Sequence, residues 1–339
     1  PELMWRSCAH AAKTGQRLYL YGGRNQGALV QLALNLRNSH PGLKIVGGHS
    51  PPHRPLTDEE NVAVIEEINR AKPTAFCFLI DQSGSMDDPW GLDSGKRKCD
   101  AVADAVNRLI ANIVLRCAKG EDVRDYFQIA VIGYGGSVRS GFGGALAGST
   151  FLPISQVADN PLRVESRLRK EDDGIGGLIE RNVRFPIWFE PSANGNTPMC
   201  AALDEAYKVV AAWCEMYPLS YPPSIINISD GEPTDGSPKA AAEKLRGLET
   251  NDGKALLFNI HISGAAKRPV EFPDSQIGLP DEHAQVLFEM SSILPPKLLD
   301  EARREGFSVT PQSRGFAFNA DLRSLVRFLD MGTRTADLL

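Results

Sequence analysis

The sequence is short of what membrane, nucleic-acid-binding and disulfide-stapled proteins need. No apolar stretch approaches the roughly 18–20 residues of a membrane-crossing helix, the longest clear one being 75–80. Basic residues are not in excess, 37 Lys+Arg standing against 42 Asp+Glu for a formal charge of −5. The positive charge that phosphate-backbone binding draws on is missing, and nucleic acid is not an expected partner. The six cysteines (Cys8, Cys77, Cys99, Cys117, Cys200, Cys214) include no C-x-x-C pair. They read as reduced, small, mostly buried side chains in a cytoplasmic protein, not as a zinc knuckle or a disulfide framework. Internal repeats of fixed period and low-complexity tracts are also absent.

What is present is a globular composition, 42% hydrophobic and 23% charged, over 339 residues, enough for about two domains. Charge is uneven along the chain. Residues 1–74 carry 9 Lys+Arg and 6 Asp+Glu, a net of +3 that leaves −8 for the rest and hints at two parts of different origin. The start at Pro1, not Met, suits a fragment or a processed product.

A β-rich run at 17–21, the glycines Gly22, Gly23 and Gly27, and a helical stretch over 28–38 form one β-α unit. A second strand at 43–46 leads through a turn over 47–53 to a helix that starts at Asp58 and ends before Pro73. The run 75–80 then reads as a buried strand ending in Asp81. Apolar Val102, Val106, Leu109, Ile113 and Cys117 recur at helical spacing over 98–118. Strands at 127–132, 225–229, 256–262 and 316–318 alternate with helices at 198–214, 238–248, 282–293 and 321–331. The glycine-rich stretch 133–196 reads as an insertion of long loops with one or two antiparallel strands, the weak candidate lying at 185–189. The expected fold is α/β, a doubly wound, mostly parallel sheet flanked by helices, preceded by a small βαβα segment.

The chemistry concentrates in three pieces. Asp81, Ser83 and Ser85 follow the strand 75–80 in an Asp-x-Ser-x-Ser pattern; Thr197 sits in Gly195-Asn-Thr-Pro before a helix; Asp230 follows the strand 225–229. Two carboxylates and three hydroxyls, with no soft ligand, suit a hard cation that keeps water in its shell, Mg²⁺ before Mn²⁺. Each piece has a plainer reading. Asp-x-Ser-Gly-Ser also caps helices, Thr197 suits the N-cap of the following helix, Asp87, Asp88 and Asp93 suit a solvated acidic loop, and Asp235 suits the start of a turn. His261, in an apolar strand, reads as a satisfied core residue.

These residues, with Phe-Leu-Ile-Asp-Gln-Ser-Gly-Ser-Met at 78–86 and Ile-Ser-Asp-Gly-Glu-Pro-Thr-Asp at 228–235, resemble the metal-ion-dependent adhesion site of von Willebrand factor type A (VWA) domains. The resemblance covers about 75–339. It implies that Ser83, Ser85 and Thr197 contact the metal, that Asp81 and Asp230 act directly or through water, and that a partner protein's carboxylate completes the coordination. For bacterial relatives it also implies work beside AAA+ ATPases, kinases or phosphatases.

Residues 1–74, through Leu18-Tyr-Leu-Tyr-Gly-Gly23, Gly27, the stretch 40–47 and the stretch 66–73, resemble an internal part of the bacterial WecG/TagA/CpsF glycosyltransferase family, which transfers a sugar from a nucleotide sugar to a lipid-linked acceptor. The match stops at Pro73, without the family's catalytic Asp half. The glycines could approach a phosphate or simply make the turn. His49 and His53 flank Pro51 and Pro52 in what reads as an exposed loop.

Other catalytic readings lack a part. The acid of a phosphoaspartate enzyme is replaced by Ser83, neither serine lies in Gly-x-Ser-x-Gly, and no Walker sequence is present. The sequence therefore points to a non-enzymatic, divalent-metal-dependent protein-binding module over 75–339 behind a truncated segment over 1–74. A nucleotide-sugar-dependent glycosyltransferase with a docking domain is the alternative.

Overall fold

The computed structural model describes residues 17–21, 44–49, 72–90, 95–119, 122–172, 178–262 and 269–319. The chain divides into two compact units, Pro1–Glu67 and Ile68–Leu339. In the first, β1 (Arg17–Tyr21) and β2 (Lys44–His49) pair in parallel, with a register shift between Leu18 and Tyr19. The second strand runs on to His49, so Gly47 and Gly48 belong to it and not to the expected turn. The helices expected over 28–38 and from Asp58 lie outside the described residues, as do Gly22, Gly23, Gly27 and His53.

In chain order the second unit runs β3 (Thr74–Asp81), α1 (Lys98–Cys117), β4 (Phe127–Tyr134), β5 (Val138–Ser140), β6 (Leu152–Pro153), α2 (Ile154–Asp159), β7 (Arg163–Asp172) and β8 (Leu178–Ile187). It continues α3 (Met199–Met216), β9 (Ser224–Ser229), α4 (Lys239–Arg246), β10 (Leu256–His261), β11 (Val270–Glu271), α5 (Glu282–Met290), α6 (Pro296–Arg304) and β12 (Phe316–Phe318).

An eight-stranded sheet has the order β11-β12-β10-β9-β3-β4-β5, with β6 also on β4. The pairs β12/β10, β10/β9, β9/β3 and β3/β4 are parallel, and only the margins β11, β5 and β6 are antiparallel. This is the doubly wound, mostly parallel sheet that the alternating pattern implied.

Every residue of β3 is buried. A strand covered on both faces needs an unbroken apolar run, because successive side chains point to opposite sides. Phe76, Phe78 and Ile80 pack with Val102, Val106, Leu109 and Ile113 of α1 and with Leu298 and Leu299 of α6. Ala75, Cys77 and Leu79 pack with Leu203, Ala206 and Val210 of α3 and with Leu287 of α5. Helices therefore close both faces.

Two expectations need correction. The stretch 133–196 holds more strand than the one or two antiparallel strands expected among its loops: β5 and β6 extend the main sheet, and β7 and β8 form a separate antiparallel hairpin of ten-residue strands. The hairpin is fixed at its base by Asn107 of α1. That side chain accepts hydrogen bonds from the N–H groups of Trp188 and Phe189 and donates to the Phe189 carbonyl. The helix expected over 282–293 stops at Met290, and a further helix, α6, follows. The segment 321–331 lies outside the described residues.

Cys77, Cys99, Cys117 and Cys214 are buried, Cys200 is half-buried, and all five are free. Among the described residues no helix is long and apolar enough to cross a membrane.

Candidate metal centre

The order of strands creates the site. From β3 the chain passes through α1 to β4 on one side, while β9 lies on the other side of β3. Such a reversal opens a crevice beyond the carboxyl ends of the two diverging strands. Asp81 is the last residue of β3, and Asp230 directly follows β9.

After β3 the chain turns sharply because Asp81 Oδ1 accepts a hydrogen bond from the Ser83 N–H at 2.8 Å, an Asx turn. A 3-10 turn, Gly84–Asp87, follows and carries Ser85. Ser83 Oγ and Ser85 Oγ lie 3.1 Å apart, and Ser85 Oγ donates to Asp230 Oδ1 at 2.7 Å. A Cβ added at Gly231 would stand 3.4 Å from Thr197 Oγ1 and 3.6 Å from Ser85 Oγ, so these two hydroxyls flank the glycine. Asp81, Ser83, Ser85, Thr197 and Asp230, drawn from three separated segments, thus come together at one end of the sheet.

Backbone bonds hold the Thr197 segment in place. The Gly84 N–H donates to the Gly195 carbonyl at 3.0 Å, the Asn194 N–H to the Gln82 carbonyl at 2.6 Å, and the Thr234 N–H to the Thr197 carbonyl at 3.0 Å. Two glycines make this approach possible. A Cβ at Gly135 would lie 2.5 Å from the Gln82 carbonyl oxygen, and Gly195, at φ +87°, would bring one within 2.5 Å of the Gly136 nitrogen.

Thr197 is not the N-cap of α3. The helix starts after Pro198, which makes no side-chain cap, and the missing acceptor comes from Asp235. Its two carboxylate oxygens take the N–H groups of Cys200 at 3.0 Å and Ala201 at 2.9 Å. Asp235 is therefore a helix cap delivered from the loop after β9, a role hidden by a separation of 35 residues. Asp87 and Asp88 are exposed but paired, with Arg97 at 2.8 Å and Lys98 at 3.3 Å respectively, and Asp93 lies outside the described residues.

Two contributors have no local signal in the sequence. Ser229 Oγ donates to Asp81 Oδ2 at 2.7 Å. Lys98 Nζ lies 2.7 Å from Asp230 Oδ2 and 3.3 Å from the Ser85 carbonyl. His261, expected to be satisfied, has no hydrogen-bond partner for Nδ1 among the described residues. It stacks on Phe318 at 4.7 Å and meets the His283 ring edge-on at 5.8 Å. Burial, aided by His283, holds its imidazole down at about 4.

Burial also pushes the Asp81 carboxyl up to about 6, against the hydrogen bonds from Ser229 and Ser83, and the neighbouring Asp230 adds to the rise. Oxygen atoms 2.7–3.1 Å apart match the edge of an octahedron built on Mg²⁺–oxygen bonds of about 2.0–2.1 Å. All five side chains offer hard oxygen, which fits Mg²⁺ or Mn²⁺ better than zinc or copper. Among the described residues no group of three or more His, Cys, Asp or Glu side chains converges; the cluster has only two carboxylates, and hydroxyls supply the rest.

Fold and site together define a doubly wound α/β domain with hard oxygen donors gathered at its switch point. The solved structures similar to this chain include a von Willebrand factor type A protein from Catenulispora acidiphila, at 14% identity over 78% of this chain and 43% of that one, TM-score 0.42. Others are proximal thread matrix protein 1 of the mussel byssus (15% identity, 80% and 49% covered, TM-score 0.39) and manganese-loaded TRAP of Plasmodium vivax (14%, 76% and 72%, TM-score 0.35). The chain spans less than half the length of the first two. Residues 1–78 match the model of the glycosyl transferase WecG/TagA/CpsF family. No curated protein matches the chain.

Proposed function

We propose that residues 75–339 form a cytoplasmic protein-binding module that depends on a divalent cation, Mg²⁺ or Mn²⁺. Asp81, Ser83, Ser85, Thr197 and Asp230 would hold the ion. The observation that carries this reading is the convergence of Ser83, Ser85, Thr197 and Asp230 oxygens beside the buried Asp81 carboxyl. Bound there, the cation would supply a positive centre with an exchangeable coordination position, to which a partner protein's carboxylate would bind. The chain's own residues do the positioning: Ser229 and the Ser83 N–H fix the two oxygens of Asp81, and Ser85 fixes Asp230 Oδ1. An AAA+ ATPase, kinase or phosphatase system is the class of partner proposed. Free, largely buried cysteines support the reducing compartment.

Titration calorimetry tests the cation step, and Mg²⁺-dependent capture of a specific protein tests the binding step. Both should be abolished by chelator and by Asp81→Ala. Absence of heat with either ion, or capture indifferent to metal, would refute the proposal.

A second reading, nucleotide-sugar-dependent glycosyl transfer with the later part as a docking domain, is favoured by the family match over 1–78 alone. It predicts UDP-sugar turnover by the full-length protein.

A further inference from the structure

The buried salt bridge between Lys98 and Asp230 is the feature of the site that the cation reading leaves unused. Lys98 is the first residue of α1, where the helix dipole is positive and a cation is disfavoured. Its side chain is nonetheless only 9% exposed, and that of Asp230 is fully buried. Burying an ammonium at the wrong end of a helix is tolerable only with strong compensation. Asp230 Oδ2 supplies it at 2.7 Å, with the Ser85 carbonyl and Asp88 each at 3.3 Å. Asp88 is 64% exposed, so water and salt screen much of its charge.

The two oxygens of Asp230 are thus divided. Oδ1 takes the hydroxyl of Ser85, a candidate ligand, and Oδ2 takes Lys98. We infer that the Lys98 ammonium is a built-in counter-ion of this site, holding Asp230 in the absence of metal and setting how weakly a divalent cation binds. The inference rests on the cation-site reading above.

Two effects of Lys98 oppose each other, and their sizes decide the sign. Its hydrogen bond orients Asp230, which favours metal binding by the severalfold that one hydrogen bond is worth. Its ammonium stands 2.7 Å from the carboxylate a dication would share, and charges within roughly 4–6 Å of one another act strongly. At an effective dielectric of about 20, repulsion between a unit and a double charge at such range changes an affinity by well over tenfold. Charge wins, so removing it should tighten metal binding.

The test is calorimetric titration of the full chain with MgCl₂ and with MnCl₂, comparing wild type with Lys98→Met, Lys98→Gln and Lys98→Arg, folding being followed by circular dichroism. Gln keeps a donor toward Asp230 without the charge; Arg keeps the charge. The expected result is at least about tenfold tighter binding for Met and Gln and near-wild-type affinity for Arg. Metal binding by the neutral variants but not by wild type would support the counter-ion role while refuting metal-dependent binding by the wild-type chain. If wild type binds metal and the neutral variants bind it equally or more weakly, the inference is overturned while the cation site stands. If neither wild type nor neutral variants bind, both readings fall. Should Met and Gln prevent folding, recovery of the folded state with MnCl₂ supports the counter-ion role, and indifference to MnCl₂ overturns it.

Discussion

The hydroxyl of Ser229 and the carboxylate of Asp81 share a 2.7 Å hydrogen bond that ties together the ends of two neighbouring strands, β9 and β3. Both side chains are wholly buried, so this bond has no water to replace it. Ser229→Ala should cost about 1–3 kcal/mol, the range for a buried partner left unsatisfied. It should also weaken Mg²⁺ binding severalfold, because one Asp81 oxygen loses its anchor. Thermal unfolding and metal titration on the same variant read the two effects.

Asp235→Ala removes both acceptors from the first turn of α3. The expected loss is about 0.5–2 kcal/mol, as for other N-caps, and a melting point lower by a few degrees. Asp235→Asn, which keeps one acceptor oxygen, should recover part of it. Equal melting points for wild type and Asp235→Ala would show that the cap does not stabilise the helix.

Gly195→Ala places a methyl group against the Gly136 backbone at a positive φ. The combined clash and left-handed strain should destabilise the protein by roughly 1–3 kcal/mol. Because Gly195 leads into Thr197, metal affinity should fall too. Gly148→Ala, also at positive φ but with open space around it, should cost only the strain and leave metal binding unchanged.

His261 gives a pH dependence of definite sign. Folding lowers its pKa from 6.5 to about 4, so the unfolded chain binds the proton more readily between those values. Stability contributed by the neutral ring is therefore fully present above about 6.5 and lost as pH falls toward 4, by at most ~3.5 kcal/mol at about 1.4 kcal/mol per pH unit. His261→Phe keeps the stack on Phe318 and should flatten that part of the stability–pH profile in denaturant titrations. An unchanged profile would assign the acid sensitivity to other groups.

The parts legible in the sequence were those whose residues answer to one environment. β3 is apolar throughout because helices cover both its faces, and α1 shows helical spacing because one stripe faces the sheet. The β7–β8 hairpin had no such signature. Charged Arg163, Glu165 and Arg167 alternate with Val164 and Leu168, but the charged side pairs with itself and with α1 while Val164 and Leu168 are exposed, so the alternation marks no core face. The five candidate ligands stood out because the Asp-x-Ser-x-Ser turn is local and because strand ends gather sites. Ser229, Lys98 and Asp235 act across 148, 132 and 35 residues, and only the assembled sheet brings them to their partners.

The stitching of the three segments by main-chain bonds, Gln82 and Gly84 to Asn194 and Gly195, and Thr197 to Thr234, has a consequence for how such a site would be used. Its scaffold owes its shape to peptide groups that no ion touches. Loading and emptying would then rearrange a few side chains at the rim and leave the frame standing, so the domain could cycle between two electrical states many times without ever having to refold.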